Sequence, residues 1–343
     1  MATMADVAKR AGVSVSTVSY ALSGKRPISD ATRLRIETAM ADLDYTPNAF
    51  GRALKSQRSR ILAFLLPTDV TATDAYMVKM LFAAAERARA DGYHLLLWTE
   101  SGQESLGVRE LASDGLIDGV LLTSILMDDP RVDALDEAGV PFVTIGRTGD
   151  CATHLFVDTD DRQTASLVVE QLVAEGHRRV EFVGPPAVDF DRRVGIVVRL
   201  QSSLRAAATT AGLELRTSPC DFTVAAGLEI VRRRANDTEP PTAYVVMNPP
   251  ALDGVFHGLD ELESGAQASL SVIGLLTPSE ADVTSVVADP AVLGTMASEV
   301  MIGALAGQAI DGQRLVGTTL VVGSSIRPAY PLTSLSVPRF TER

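Results

Sequence analysis

The 343-residue sequence predicts a small all-α unit at its N-terminal end and a larger α/β core built as two doubly wound, parallel-sheet subdomains. Two observations carry this. Residues 5–45 hold runs of helical periodicity interrupted by Gly12 and by the loop SGKRPIS. From Ile61 onward, short continuous apolar runs alternate with helical stretches, the pattern of strands covered on both faces. That series runs through once to HLFVD (154–158) and then starts again, which makes two halves.

Within ADVAKRAGVSVSTVSYAL (5–22), Val7, Ala8 and Ala11 fall on one face of a first helix. Gly12 ends it, as a residue free to take positive φ. Ser14 reads as the N-cap of a second helix, with Thr17 three positions on. Val18, Ala21 and Leu22 recur at helical spacing and face the first helix, which leaves Val15, Ser16, Ser19 and Tyr20 outside. A third helix follows in DATRLRIETAMADLDY, capped by Ser29 or Asp30. Its Leu34, Met40 and Leu43, with Ile36 or Ala39 alongside, are expected to cover the first two. Thr46-Pro47-Asn48 breaks it, and AFGRALKSQRS begins another short helical pattern. A helix–turn–helix needs this division, one face packed and the other free to enter the major groove. A small buried helical pair would show the same spacing.

In the core, ILAFLL, YHLLLWT, GVLLTSI, PFVTIG and HLFVD are expected strands of the first half. RRVEFVG, LELRTS, AYVVMN and LSVIG belong to the second, with helices near 75–91, 163–175 and 194–211. In such layouts ligands bind beyond the carboxyl ends of the strands, here in the cleft between halves. Enzymatic chemistry finds no support. No GxGxxG or phosphate-binding loop opens a helix after a strand, and Gly146-Arg147-Thr148-Gly149 reads as a turn. His94, His154, His177 and His257 are scattered, and no nucleophile elbow or metal-ligand spacing occurs. No catalytic residue, metal or cofactor is expected.

With 46% hydrophobic and 22% charged residues the composition is that of a globular protein. Cys151 and Cys220 suit free thiols in a reducing compartment. The start MATMADVAKR has no apolar signal region, and no apolar run reaches membrane-spanning length, so a cytoplasmic protein is expected. The net charge of −12 is unevenly spread: residues 1–60 hold ten Lys or Arg against five acids, a balance of +5 that leaves −17 on the rest. A basic end on an acidic body orients a molecule on nucleic acid and keeps the body off it.

From DVAKRAGVSVSTVSYAL through YTPNAFGRALKSQRS, and less tightly on to about Pro328, the chain resembles the LacI (lactose repressor) family of bacterial transcription regulators. The resemblance implies a DNA-binding headpiece over 1–46, a hinge helix and linker over 47–59, and a periplasmic-binding-protein-like core. The core's N-terminal subdomain is then 60–161 plus 291–322, and its C-terminal subdomain 162–290 plus 323–343. A homodimer would bind a pseudo-palindromic double-stranded operator, as a repressor controlled by a small-molecule effector in the cleft. Helices over 75–89 and 252–262 are candidate dimer surfaces.

Carried over residue by residue, the family's base readers fall on Val15, Ser16 and Tyr20, the first, second and sixth positions after Ser14. Many relatives carry Arg where Tyr20 stands, so their operator sequence does not transfer. Ser14, Thr17, Ser19, Ser23, Lys25 and Arg26 are candidate phosphate contacts. Leu54 matches the leucine that relatives wedge into the minor groove. Tyr76, Met77, Thr123, Ser124, Arg192, Phe222, Asn248 and Leu276 map to the effector cleft, with Arg193 competing with Arg192. His177 matches a recurring structural position.

Two places depart from the family. Asn248 is followed by Pro249-Pro250 where relatives often have Asp, and Gly274-Leu275-Leu276-Thr277 replaces a Gly-aromatic-Asp-Asp pattern. Leu276 removes an acceptor for ligand hydroxyls and adds apolar wall. Two outcomes fit: an effector that is not an ordinary sugar, or a constitutive DNA-binding factor whose core no longer responds to one.

Overall fold

The computed structural model describes residues 2–23, 26–45, 58–67, 75–100, 107, 111, 116–262, 270–276 and 282–329. It divides into two compact units, 1–60 and 61–343, taken separately below.

The first unit contains helices α1 (Met4–Ala11), α2 (Val15–Ser23) and α3 (Asp30–Asp42). Thr3 and Asp6 form a reciprocal capping box at the start of α1. At its end Gly12 turns left-handed, with φ 62°, and its N–H closes on the carbonyls of Ala8 and Lys9. Ser14 caps α2, its hydroxyl 3.1 Å from the Thr17 amide nitrogen. Val7, Ala8, Ala11, Val18, Ile36 and Ala39 are the buried centre, with Ala21, Leu22, Met40 and Leu43 packed around it. Leu34 does not cover the first two helices as expected. It is 65% exposed. Ile36 lies two residues further on, about 200° around a helix, so turning Ile36 and Ala39 inward turns Leu34 out.

The second unit holds two sheets. In the first, β1 (Ile61–Pro67), β2 (His94–Glu100), β3 (Gly119–Leu122), β4 (Phe142–Ile145), β5 (Phe156–Thr159) and β11 (Gln313–Val316) run parallel in the order β11-β5-β4-β3-β1-β2. In the second, β6 (Arg179–Val183), β7 (Glu214–Ser218), β8 (Ala243–Val246), β9 (Ser271–Leu275), β10 (Ser285–Val287) and β12 (Thr319–Val321) run in the order β12-β10-β9-β8-β6-β7. Here β12 is antiparallel, with Leu320 opposite Val286. That pairing corrects one expected boundary. Residues 319–321 belong to the second sheet, so the last crossing falls near Gly317-Thr318 rather than after 322. The other two crossings lie between β5 and α6 (Asp161–Ala174), and between β10 and α11 (Pro290–Leu305).

Helices cover both faces of each sheet. Against the first sheet, α4 (Ala75–Ala90) and α11 bury Met80, Leu293, Ala297 and Met301 on Leu62, Phe64, Leu121 and Val143. On its other face α5 (Pro130–Ala138) brings Val132 and Leu135 onto Leu65, Val120 and Leu122. The second sheet carries α6 and α8 (Gly195–Ala211) over Phe182, Val245 and Ile273, and α9 (Val224–Ala235) and α10 (Pro249–Asp260) over Tyr244, Val246 and Val272. Truncating a buried ring such as Phe182 should cost about 3–5 kcal/mol.

His177 pins the start of the second sheet. Its Nδ1 lies 2.9 Å from the Thr242 hydroxyl, and its Nε2 lies 2.7 Å from the Ser271 hydroxyl and 3.1 Å from the Arg327 carbonyl. Burial holds the imidazole below its ordinary value of 6.5. The neutral ring therefore stabilises the fold above that pH, and the contribution is lost as pH falls through it. Substituting His177→Ala should cost on the order of 1–3 kcal/mol in urea unfolding at pH 7.5. The deficit should shrink at pH 5, where the parent carries the charging penalty and the variant does not.

Candidate functional site

Two surfaces gather the residues singled out in the sequence. On the first unit, α2 presents Val15 (46% exposed) and an exposed Ser16 on its outer face. Ser14 and Thr17 sit at its start, where N–H groups and the helix dipole favour a phosphate. Their hydroxyls lie 2.8 Å apart and complete the cap, so both are structural before they touch anything else. One turn along, Tyr20 is half-buried, with the Arg26 guanidinium 5.4 Å from its ring centroid. This cation–π contact couples an expected base reader to an expected phosphate contact. Ser19 is half-buried. The side chain of Ser23, with Lys25 and Leu54, lies outside the described residues.

The second surface is a cavity of about 280 Å³ between the two sheets of the core. Tyr76 and Met77 reach it from the first turn of α4, and Thr123 and Ser124 from the end of β3. Arg192 follows the short helix α7 (Ala187–Asp191), Phe222 follows β7 and Leu276 follows β9; all three line the same space. Asn248 does not join them. It is fully buried, accepts from the Ala251 amide as the N-cap of α10, and donates to the carbonyls of Cys220 and Asp221. Its amide has become a splice between two loops rather than a ligand contact. Arg193 points elsewhere, pairing with the exposed Asp128 at 3.1 Å.

Backbone strain gathers around this cavity. Ser124, Arg193 and Leu276 take φ values of 53°, 56° and 54°. Such conformations cost about 1–3 kcal/mol each and cluster at functional sites. The loop after β3 is held by a buried ion pair. Asp129 caps α5 and receives the Leu126 amide, while Arg131, 1% exposed, bonds Asp129 and the carbonyls of Thr123 and Ser124. The loop is also joined to the other half through backbone: the Gly195 N–H meets the Ile125 carbonyl at 2.7 Å, and the Met127 N–H meets the Arg193 carbonyl at 2.9 Å. A Cβ on Gly195 would sit 2.8 Å from the Arg147 carbonyl, so this close approach requires glycine.

Beside that bridge lies a square of four charges. Arg147 Nε and Arg199 Nη2 donate to Asp158 at 2.8 and 2.7 Å, and Arg147 Nη2 and Arg199 Nε donate to Asp161 at 2.8 and 3.1 Å. Arg147 and Asp158 come from the first half, Asp161 and Arg199 from the second. Asp158 and Arg199 also line the cavity.

Comparison with known proteins finds relatives across both units. Residues 3–48 match bacterial regulatory proteins, lacI family, and residues 169–326 match a periplasmic binding protein-like domain. The ribose operon repressor of Escherichia coli (strain K12) is 27% identical over 94% of this chain and 98% of its own length. The chain resembles LacI-family regulators over nearly its whole length. Catabolite control protein A of Priestia megaterium is similar at 25% identity, covering 90% of this chain and 94% of that protein. In fold, the chain resembles the lac repressor dimer bound to operator and the anti-inducer ONPF, with a TM-score of 0.79, 21% identity, and coverage of 95% and 99%. A CelR–cellobiose complex is similar with a TM-score of 0.64, 26% identity, and coverage of 95% and 100%. These relatives are a repressor, a control protein and regulators solved with operator or with small molecules. No helix among the described residues is long and apolar enough to cross a membrane.

The charged square of the core was missed in the sequence. Arg147 stood in what read as a turn, and its partners lie up to 52 residues away with no local signal. Asp129 and Arg131 were missed too, although Asp129-Pro130 carries the local signature of an N-cap followed by an N1 proline. Within the square, burial and the neighbouring Asp158 push the Asp161 carboxyl up to about 6, against the pull of both guanidiniums. Its Oδ1 is buried and has no hydrogen-bond partner among the described residues. A raised carboxyl stabilises the fold below its unfolded value of 3.8, and that contribution is lost as pH rises through about 6. The stability of Asp161→Asn relative to the parent should therefore shift in the variant's favour between pH 4 and pH 7, by on the order of 3 kcal/mol. Urea unfolding across that range reads it directly, and a pH-independent difference would contradict the assignment.

Proposed function

We propose that this LacI-family chain is a cytoplasmic repressor that binds a pseudo-palindromic operator as a homodimer, under control of a small molecule in the core cleft. It regulates by binding and carries out no catalysis. The observation that carries the reading is the outer face of α2, with Val15 and Ser16 exposed and Tyr20 backed by Arg26, on a unit of charge +5. Val15 suits a thymine methyl, and the hydroxyls of Ser16 and Tyr20 suit base edges. Ser14, Thr17, Ser19, Ser23, Lys25 and Arg26 supply phosphate contacts that set register. Leu54 supplies the minor-groove wedge.

Dimerisation is supported by apolar surface on the first half of the core: Val78 and Phe82 on α4, and Leu96 and Leu97 on the edge strand β2, are all exposed. For control, an effector shifts operator affinity only through different affinities for two arrangements of the halves. A cavity lined from both halves is placed to supply such a difference, and it favours effector control over a constitutive factor.

Operator selection with the full-length protein should enrich a two-fold related site with a flexible central step. Leu54→Ala should weaken that site while leaving the half-site preference intact. Binding by gel shift should fall about 10³–10⁵-fold between 50 and 200 mM salt for a dimer making several phosphate contacts. No enriched site at low salt would overturn the reading.

A further inference from the structure

The cleft's walls specify what it takes. Most of its surface is apolar, with Met77, Met80, Phe222, Met247, Leu275 and Leu276 converging from both halves. The polar groups in the wall are largely engaged with the protein itself. The Thr123 hydroxyl donates to the Leu65 carbonyl at 2.7 Å. Asp158 receives both guanidiniums on one oxygen and the Thr159 amide on the other. Arg199 directs its donors to Asp158, Asp161 and the Arg147 carbonyl. The square is two positive against two negative, and Arg192 and Asp189 in the same wall are one of each and already hold interactions within the protein, so the wall offers a ligand no net charge. Asn248, the other amide expected there, is buried in its capping role.

A polyhydroxylated ligand entering such a space loses its hydrogen bonds to water and regains few. A flat apolar ring loses nothing comparable, and methionine sulfur makes favourable contacts with aromatic edges while its flexible chain adapts to shape. Leu276 sharpens the argument. It occupies a left-handed backbone position that Asn, Asp or Gly adopts more readily, yet its side chain is part of the wall. The volume of about 280 Å³ sits at the small end of ligand cavities and holds one or two rings.

We propose that the cleft binds a small, uncharged aromatic molecule of one or two rings carrying few polar groups, rather than a sugar. This rests on the cleft being the effector site of the repressor described above. Prodan, a neutral naphthalene of two fused rings whose emission shifts to the blue in apolar surroundings, tests it on the full-length protein. Expected are one probe bound per chain, displacement by neutral phenols, and no displacement by ribose, glucose or cellobiose. Leu276→Asp, which suits the backbone but places a carboxylate in the wall, should weaken the probe roughly tenfold or more. Phe222→Ala, on a partly exposed loop where folding is not at stake, should weaken it as well. Absence of binding, displacement by those sugars, or binding unchanged in both variants would overturn the ligand class. Operator gel shifts on the same preparation separate the two readings. Operator binding that responds to a sugar but not to phenols keeps the repressor and removes the aromatic ligand. Probe binding with the expected variant effects but no operator binding does the reverse.

Discussion

The core depends on two guanidiniums that share two carboxylates. Asp158 and Asp161 bracket the first crossing between halves, the short step from β5 into α6. Arg147 from one half and Arg199 from the other each bond both acids. Any rotation of one half against the other at this crossing must stretch or re-pair charge-assisted bonds to two buried carboxylates. Such bonds are the strong ones, and breaking one side leaves an uncompensated buried charge. Between the two acids, Asp160 caps α6 through the amides of Arg162 and Gln163. In the run DTDD, three carboxylates thus do two jobs, anchoring a crossing and starting a helix.

The same arrangement explains the character of the cleft. Arginines facing a cavity ordinarily suggest an anionic or hydroxyl-bearing ligand. Here Arg199 is turned to carboxylates of its own chain, and the backbone bridge through Gly195 and Ile125 closes in beside it. The polar groups hold the halves together, and the apolar side chains are left to meet whatever enters.

Local chemistry was legible in the sequence and distant chemistry was not. Gly12, Ser14 and Ser29 announced helix ends because a cap is decided within four residues. The strand–helix alternation announced the α/β core because burial on both faces leaves unbroken apolar runs. Leu34 was misplaced because three apolar positions close in sequence fit more than one helical face, and only packing against α1 chose Ile36 and Ala39. Asn248 was read as a ligand contact, though the prolines after it already marked the start of a helix. The reversal at β12 and the charged square needed the tertiary structure, since Arg199 meets Asp158 across 41 positions.

The threefold passage of the chain between halves has a consequence for biosynthesis. The first sheet begins at Ile61, but the helix α11 that covers one of its faces ends only at Leu305, and its edge strand β11 only at Val316. As the polypeptide leaves the ribosome, Leu62, Phe64 and Leu121 must wait, lacking part of their cover, while the whole second half is made. The second half is itself incomplete until β12 arrives at Val321. Neither lobe can finish folding first and serve as a template for the other, so the core matures only after Val321 has been made, and the apolar surface exposed until then makes chaperone contact valuable.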